Sequence, residues 1–375
     1  MTERKIFAVY VITKHGLKTA EVFKREHPDC DLYVSKRFID KAPPGSFLLA
    51  TPMGPTLKKT WKEYDCHIHI ISVGAVVRMI APLLENKKVD PAVICIDDAN
   101  KFSICLLSGH VGRGNEFTKV VSDTLNNTPV ITTASDVTGT LTVDILGRDL
   151  GWELDDKDRN VTLGCAAVVN QSKVAFIQET GEPNFWPLKK PLPPGVNYFT
   201  KLEDVNPKGH EILLICSDQN IIERSHWEKA VIYRPKSLVL GLGCDKGTPF
   251  EVVEQGILHH LEKMNLSVKS VKAIATIDLK ENEEAFLKLK KKYGWIIEGY
   301  PAKVLDQVEG VLNPSDVVKK YVGTRSVGEA ACLHFTKSKM LLLPKQKFQL
   351  EKGGKNMTIS IARIPFLKRG EHGHS

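Results

Sequence analysis

The strongest constraint on the fold is an order of segments found near both ends of the chain: a short apolar run, a turn bearing glycine or proline, then a stretch with apolar residues at helical spacing. IFAVYVIT reads as a buried strand and HGLKTAEVFKREH as the helix after it. CHIHIIS, AVICID and SICLLS read as further strands, a helix follows around NEFTKVVSDTL, and PVITT is another strand. Towards the other end SLVLGLGCDKG leads into TPFEVVEQGILHHLEK, KAIATIDL into ENEEAFLKLKKKYG, and WIIEGYP follows. GTRSVGEAACLHF reads as a glycine turn into a helix, with MLLLPKQKF and MTISIAR as closing strands. Helices that alternate with strands cover both faces of a sheet. The expected fold class is therefore α/β, as several α/β domains with largely parallel sheets.

Between these regions the pattern changes. TGTLTVDILGRDLGW reads as a helix, and LGCAAVVN and KVAFIQ as strands. NFWPLKKPLPPG carries too much proline for a helix interior or a central strand, and EILLICSD reads as the last strand before a boundary near Arg234 and Pro235. The resulting division is an amino-terminal α/β domain over residues 1–136, a middle domain over 137–235, a carboxy-terminal α/β domain over 236–365 and a disordered tail over 366–375. A chain of 375 residues is long enough for two or three domains.

With 42% hydrophobic and 26% charged residues, the composition is that of a folded chain and excludes a mostly disordered one. No apolar stretch approaches the roughly 18 to 20 residues of a membrane span. MTERKIFAVYVITKHG lacks a small-residue cleavage site, so the cytoplasm is the expected location. The eight cysteines never form a CxxC pair, which argues against structural zinc and fits a reducing compartment. A net charge of +8 favours an anionic partner. Nucleic acid is not the expected one, because zinc-finger, helix-turn-helix and RNP signatures are missing and aromatics are not interleaved with the lysine clusters.

Chemistry concentrates in LLSGHVGRGNE, Leu106 to Glu116. An apolar strand ends at Ser108, Gly109, Gly112 and Gly114 allow close backbone approach and positive φ, and Asn115 with Glu116 opens a helix. Free N–H groups at that helix start would favour an anion, and Ser108 and His110 would stand at the carboxyl end of a strand, where open α/β sheets bind ligands. For the tripeptide SGH by itself, a tight connection with a solvated histidine is the simpler reading. GLGCDKG, with Gly241, Gly243 and Gly247, has GxGxxxG spacing, and Asp278 lies beyond the roughly 20 residues at which a dinucleotide site places its acid. It reads as a second helix-start turn. His67 and His69 alternate on one face of a strand beside Cys66, but half-exposed strand histidines are commoner than metal ligands. The same holds for His259 with His260 and for His372 with His374. The basic end-piece Lys345, Lys347, Lys352, Lys355, Arg363, Lys368 and Arg369, set against Glu351 and Glu371, reads as a solvated surface.

Context sharpens the loop. ISVGAVVRMIAPLL with Gly74 and Arg78, DPAVICID, LLSGHVGRGNE and TPVITTASDV follow one another over about eighty residues. This run resembles the amino-terminal region of the cobalt-precorrin-5A hydrolase (CbiG) family of anaerobic cobalamin biosynthesis. GLGCDKGT, ATIDLK, PSDVVKKYVGTRSVGEAAC and LLLPKQKF resemble that family's last domain. The resemblance is clear over residues 50 to 136 and 237 to 363 and weak between them. Two departures stand out: Arg113 sits where the family loop is rich in glycine and small residues, and QLEKGGKN lengthens the last connection.

The resemblance implies an enzyme that opens a lactone on a contracted macrocycle with water and releases a two-carbon fragment as acetaldehyde. Such chemistry needs a base for water, donors for an oxyanion, and a proton for the departing carbon centre. It implies no cofactor held by the protein, since the cobalt arrives with the substrate. The partner implied is an anionic tetrapyrrole, with no nucleic acid or membrane and with room for transient contact with methyltransferases of the same pathway. His110 is the expected general base or acid, with Glu116 and Glu329 as further proton-transfer candidates. Arg78, Arg113, Lys280 and Lys345 are expected to bind the substrate's acid side chains, and Gly74, Ser108, Gly109, Gly112, Gly114, Gly243, Cys244 and Ser326 to line the site. That site is expected in a cleft between the amino- and carboxy-terminal domains. Two other readings use the same residues: a tetrapyrrole carrier without catalysis, and a nucleotide-binding α/β enzyme built around GLGCDKG.

Overall fold

A computed structural model describes residues 4–155, 158–220 and 228–367. The polypeptide divides into two compact units, Met1–Ile145 and Leu146–Ser375. Lys368, Arg369, Glu371, His372 and His374 of the expected tail lie outside the described residues.

The first unit is built on one sheet among its described residues. Its strands are β1 (Lys5–Val11), β2 (Asp31–Ser35), β3 (Phe47–Leu49), β4 (Tyr64–Ile70), β5 (Ala92–Ile96), β6 (Phe102–Leu107) and β7 (Thr128–Val130). They lie in the order β3-β2-β1-β4-β5-β6-β7. β1 to β5 are parallel, β6 runs antiparallel to β5, and β7 runs parallel to β6. One face of the sheet packs Phe7, Val9, Ile68 and Ile94 against Leu17, Ala20 and Phe23 of the helix Lys14–Glu26 and Phe117, Val121 and Leu125 of the helix Gly114–Leu125. The first of these helices starts where Thr13 Oγ1 accepts from the Gly16 N–H at 2.9 Å, and ends with Lys24 and Arg25 against the negative end of its dipole.

The second unit holds two sheets among its described residues. One comprises β8 (Glu153–Leu154), β9 (Val174–Gln178), β10 (Val196–Phe199), β11 (Ile212–Cys216) and β12 (Ala230–Arg234), ordered β10-β9-β11-β12-β8 and parallel apart from β8. The other comprises β13 (Leu238–Cys244), β14 (Val271–Ile277), β15 (Ile296–Tyr300), β16 (Leu341–Phe348) and β17 (Met357–Arg363), ordered β15-β14-β13-β17-β16. β13 to β15 are parallel, and β17 is antiparallel to both of its neighbours. The buried Asp218 carboxylate, just after β11, accepts two bonds of 2.7 Å from Arg363 of β17 and one of 2.6 Å from Ser237. A bidentate, charge-assisted pair of this kind fixes orientation as well as distance.

The architecture is the expected α/β one with mostly parallel sheets, and three local expectations fail. TGTLTVDILGRDLGW is not a helix. The short helix Ala134–Thr138 stops where Gly139 takes φ +62°, and a 3-10 turn covers only Arg148–Leu150 between Gly147 and Gly151, both at positive φ. LGCAAVVN belongs to the helix Asp158–Val169, which packs on β11 and β12, because a short run of Ala, Val and Cys carries no period that separates a strand from a buried helix. EILLICSD is followed by one more strand, β12, whose residues are all buried.

Candidate active site

β6 ends at Leu107 and the chain turns at once: Ser108 takes φ +55° and its Oγ donates to Asp90 O at 2.9 Å. The Gly114 N–H donates to Ser108 O and the Asn115 N–H to Gly109 O, each at 2.9 Å. Positive φ therefore falls on Ser108 and on Arg113 (φ +62°), not on the glycines as expected. The glycines are needed for space. A Cβ at Gly112 would stand 2.5 Å from Ser108 Cβ, and one at Gly114 would stand 2.8 Å from Leu107 O. Two N–H groups expected to face a ligand are thus occupied by carbonyls of the turn.

The tightness of this turn aims His110 at the segment after β7. Its Nδ1 lies 3.2 Å from Asp144 Oδ2, and its Nε2 lies 3.1 Å from Asp136 Oδ2 and 3.0 Å from Ser135 Oγ. Asn115 Nδ2 donates to the same Asp136 oxygen at 2.8 Å and to Thr133 Oγ1 at 3.0 Å. Carboxylates only accept, so both ring nitrogens are placed to donate, which favours the imidazolium form. The pKa of His110 is raised above the ordinary histidine value, first by the hydrogen bond it donates to Asp144, against partial burial, and further by Asp136. The side chain of Asp136 is 29% exposed against 12% for Asp144, so Asp136 is the member of the cluster that a ligand can reach. Asn115 Oδ1 and Asp144 Oδ1 are buried without a hydrogen-bond partner among the described residues.

The other expected residues fall into separate groups. Gly74 follows the carboxyl end of β4, and Arg78 Nη1 reaches back to donate to Gly74 O at 2.8 Å. Because β6 is antiparallel to β5, the end of β6 lies where β5 begins, with Leu107 opposite Val93. Gly74 and the Arg78 guanidinium therefore stand at the opposite edge of the sheet from His110. Arg113 Nε pairs with Glu116 Oε2 at 2.8 Å, and its guanidinium lies 5.3 Å from the centre of the Phe117 ring, folded along its own helix.

In the second unit Gly243 and Cys244 end β13, near Lys280, which pairs with Glu283 at 2.6 Å. The Cys244 thiol is pushed up to about 11, mainly by burial. Glu283 accepts from the Gly247 N–H at 3.3 Å, so the GLGCDKG turn already faces an anion of the chain itself. Gly241 serves packing, since its Cβ would lie 1.9 Å from Gly328 O of the helix Gly328–Thr336. Glu329 is wholly buried and accepts from the N–H groups of Leu312, Asn313 and Lys345 and from Asn313 Nδ2, at 2.8 to 2.9 Å. Its carboxyl is held below the usual range, these bonds outweighing burial, which acts the other way. That is the setting of a carboxylate that ties down a loop. Lys345 Nζ donates to Asn313 O at 3.1 Å, and Ser326 Oγ is buried without a hydrogen-bond partner among the described residues.

His67 and His69 are fully buried rather than half-exposed, stacked with Tyr10 and Trp61. Among the described residues no group of three or more His, Cys, Asp or Glu side chains could hold a metal ion. Nor is any helix there long and apolar enough to cross a membrane. The partners of His110 were missed from sequence. Asp136 lies in the TASDV segment but with no spacing that ties it to His110, and Asp144 lay in a stretch read as helix.

Comparison with known proteins gives three family models in chain order. Cobalamin synthesis G N-terminal matches residues 55–136, the cobalamin biosynthesis central region matches 141–235, and Cobalamin synthesis G C-terminus matches 238–362. A cobalt-precorrin-5A hydrolase of Priestia megaterium is 37% identical over 370 residues, 98% of this chain and 97% of its own. A second, from Salmonella typhimurium strain LT2, is 29% identical over 289 residues, 74% of this chain and 78% of its own. A solved structure described as a putative cobalamin biosynthesis protein G homolog from Sulfolobus solfataricus aligns over 96% of this chain and 98% of its own, at 20% identity and a TM-score of 0.36. The three models in order, and a relative above 30% identity along almost the whole length, establish that this chain belongs to the cobalamin biosynthesis protein G (CbiG) family.

Proposed function

We propose that the chain is a cobalt-precorrin-5A hydrolase, which opens the δ-lactone of cobalt-precorrin-5A with water and releases acetaldehyde to leave cobalt-precorrin-5B. The observation that supports this most is the 37% identity to the Priestia megaterium hydrolase over 98% of the chain. The His110 cluster supplies the acid and base that the reaction needs. Water adds to the lactone carbonyl and the ring C–O bond breaks, giving a carboxylate and an alcohol. The alcohol then loses its proton, its oxygen becomes the carbonyl of acetaldehyde as the C–C bond breaks, and the electron pair passes to the macrocycle, which takes up a proton. One water is consumed.

In this reading Asp136 takes the proton from water and gives it to the departing ring oxygen, then takes the proton of the resulting alcohol; the His110 imidazolium protonates the macrocycle and regains its proton from Asp136. Neighbouring groups whose environments favour opposite protonation states divide acid and base roles in this way. Asp144 holds the ring and keeps it protonated. The substrate brings its own cobalt, and the chemistry draws on no cofactor of the protein. The reaction takes place in the cytoplasm, where the free cysteines stay reduced, and the methyltransferases that precede and follow this step are its transient partners. His110→Gln should lower turnover on the order of 10²- to 10⁴-fold with the fold intact. Unchanged turnover on purified substrate would overturn the assignment.

A further inference from the structure

The sheet edge that carries His110 is also the edge where β1, β2, β3 and β4 begin, and there the first unit opens a groove of about 730 Å³. Its aromatic wall is Tyr33, Tyr64 and Phe47, with Tyr33 stacked on Phe47 at 5.2 Å and 24°. Phe47 and Leu48 of edge strand β3 are 45% and 57% exposed and so leave apolar surface open to a ligand. Arg4, Lys5, Lys59 and Lys62 line the groove, against Asp31 and Glu63. Asp31 is already occupied, by Lys5 at 2.7 Å and by the Tyr64 hydroxyl at 2.5 Å, so the remaining balance is cationic. Lys62 pairs with Glu85 at 2.6 Å, but both side chains are more than half exposed, and such a pair yields readily to a ligand carboxylate.

We infer that this groove binds a planar polycarboxylate macrocycle, its ring stacked on the outer face of Phe47, which Tyr33 backs from behind, and its acid arms on Arg4, Lys59 and Lys62. The volume lies within the roughly 300–1,000 Å³ of small-molecule sites. The lining also matches a flat anion better than a compact one: a ring for the aromatics and several separated charges for the spread cations. The groove is tied to the His110 turn. Glu85, the partner of Lys62, donates its N–H to both Asp90 carboxylate oxygens at 3.1 Å, and Asp90 O accepts from Ser108 Oγ. From the start of β4 to the end of β6 is two strand spacings, about 10 Å. The edge bearing Arg78, by contrast, is on the far side of the sheet.

The choice of a tetrapyrrole as ligand rests on the hydrolase reading, so the test uses binding alone. Uroporphyrin I, a planar octacarboxylate, is titrated into the full chain at physiological salt, and its Soret shift and fluorescence are followed. Saturable binding is expected, weakened at least tenfold in Lys59→Glu/Lys62→Glu and in Phe47→Ala. It should be unchanged in Lys101→Glu/Lys119→Glu, which makes the same charge change elsewhere on this unit. No saturable binding by the native chain, equal affinity in the groove variants, or equal weakening by the remote pair would each overturn the inference. Native-like circular dichroism in the groove variants separates lost binding from lost fold; if Lys59→Glu/Lys62→Glu is misfolded, Lys59→Gln/Lys62→Gln carries the same test. Acetaldehyde release is a separate readout: its absence would sink the hydrolase reading and leave this one standing.

Discussion

Acid should loosen the first unit through two histidines that take no part in the proposed chemistry. His67 and His69 lie fully buried on β4, and burial holds their pKa values down to about 4 and about 3. His69 has no hydrogen-bond partner for either ring nitrogen among the described residues and stacks on Tyr10 at 4.7 Å, whereas Tyr10 OH and Trp61 O sit within hydrogen-bond reach of His67. Unfolded, each would titrate near the ordinary value of about 6.5. Between that value and the folded ones the unfolded chain binds more protons, so stability falls as pH falls. From pH 7.5 to pH 5 the linkage is about 2 kcal/mol for each ring, or about 4 kcal/mol together. That is a large share of a typical domain stability of roughly 5–15 kcal/mol. His69→Phe keeps a flat ring in the stack and removes one titration. Hydrogen exchange of β1 and β4 amides, read by mass spectrometry at both pH values, should show the opening free energy of the native unit dropping by about 2 kcal/mol more than that of the variant. Equal drops in the two proteins would refute the account of His69. His110, whose pKa is raised, works in the opposite sense: its contribution is present below about pH 6.5 and lost as pH rises through its folded value.

Other consequences concern the site and the loop ties. Asp144→Asn removes the largest cause of the raised His110 pKa, so the alkaline limb of kcat/KM should move to lower pH, and an NMR titration of the ring should move with it; an unmoved limb would count against Asp144 as the positioning residue. Gly112→Ala places a methyl group 2.5 Å from Ser108 Cβ and should lower both the melting temperature and, by displacing His110, the turnover, the latter at least tenfold at a temperature where the variant is still folded; native turnover would contradict the role of the turn. Glu329→Ala takes the shared acceptor from the backbone N–H groups of Leu312, Asn313 and Lys345 and should destabilise the second unit by about 3 kcal/mol in urea titration, while Glu329→Gln should retain part of the tie; equal, small effects would contradict it.

What could be read from the residues followed the strength of local signals. β5 and β13 were legible because AVICI and LVLGLGC are apolar throughout and bounded by turns, and the helix Lys14–Glu26 because its apolar face repeats at helical spacing. The helix Asp158–Val169 was not, since its apolar stretch lacks a decisive period. The site divides in the same way. His110 and the crowded glycines announce a special turn, but its geometry depends on β6 running antiparallel, which nothing in SICLLS encodes. That one reversal moves the turn away from Arg78 and towards the groove at Lys59 and Lys62. The partnership of His110 with Asp136 and Asp144 is likewise a product of folding, since 26 and 34 residues separate them along the chain.

In the proposed mechanism His110 and Asp136 carry the proton transfers of a lactone-opening, acetaldehyde-releasing hydrolysis. The direct measurement is an anaerobic assay on purified cobalt-precorrin-5A that reads lactone opening and acetaldehyde together, for the native chain and for His110→Gln and Asp136→Asn. One acetaldehyde per lactone opened is expected from the native chain, with both rates lowered at least a hundredfold in each folded variant. Acetaldehyde release by both variants at the native rate would contradict these roles.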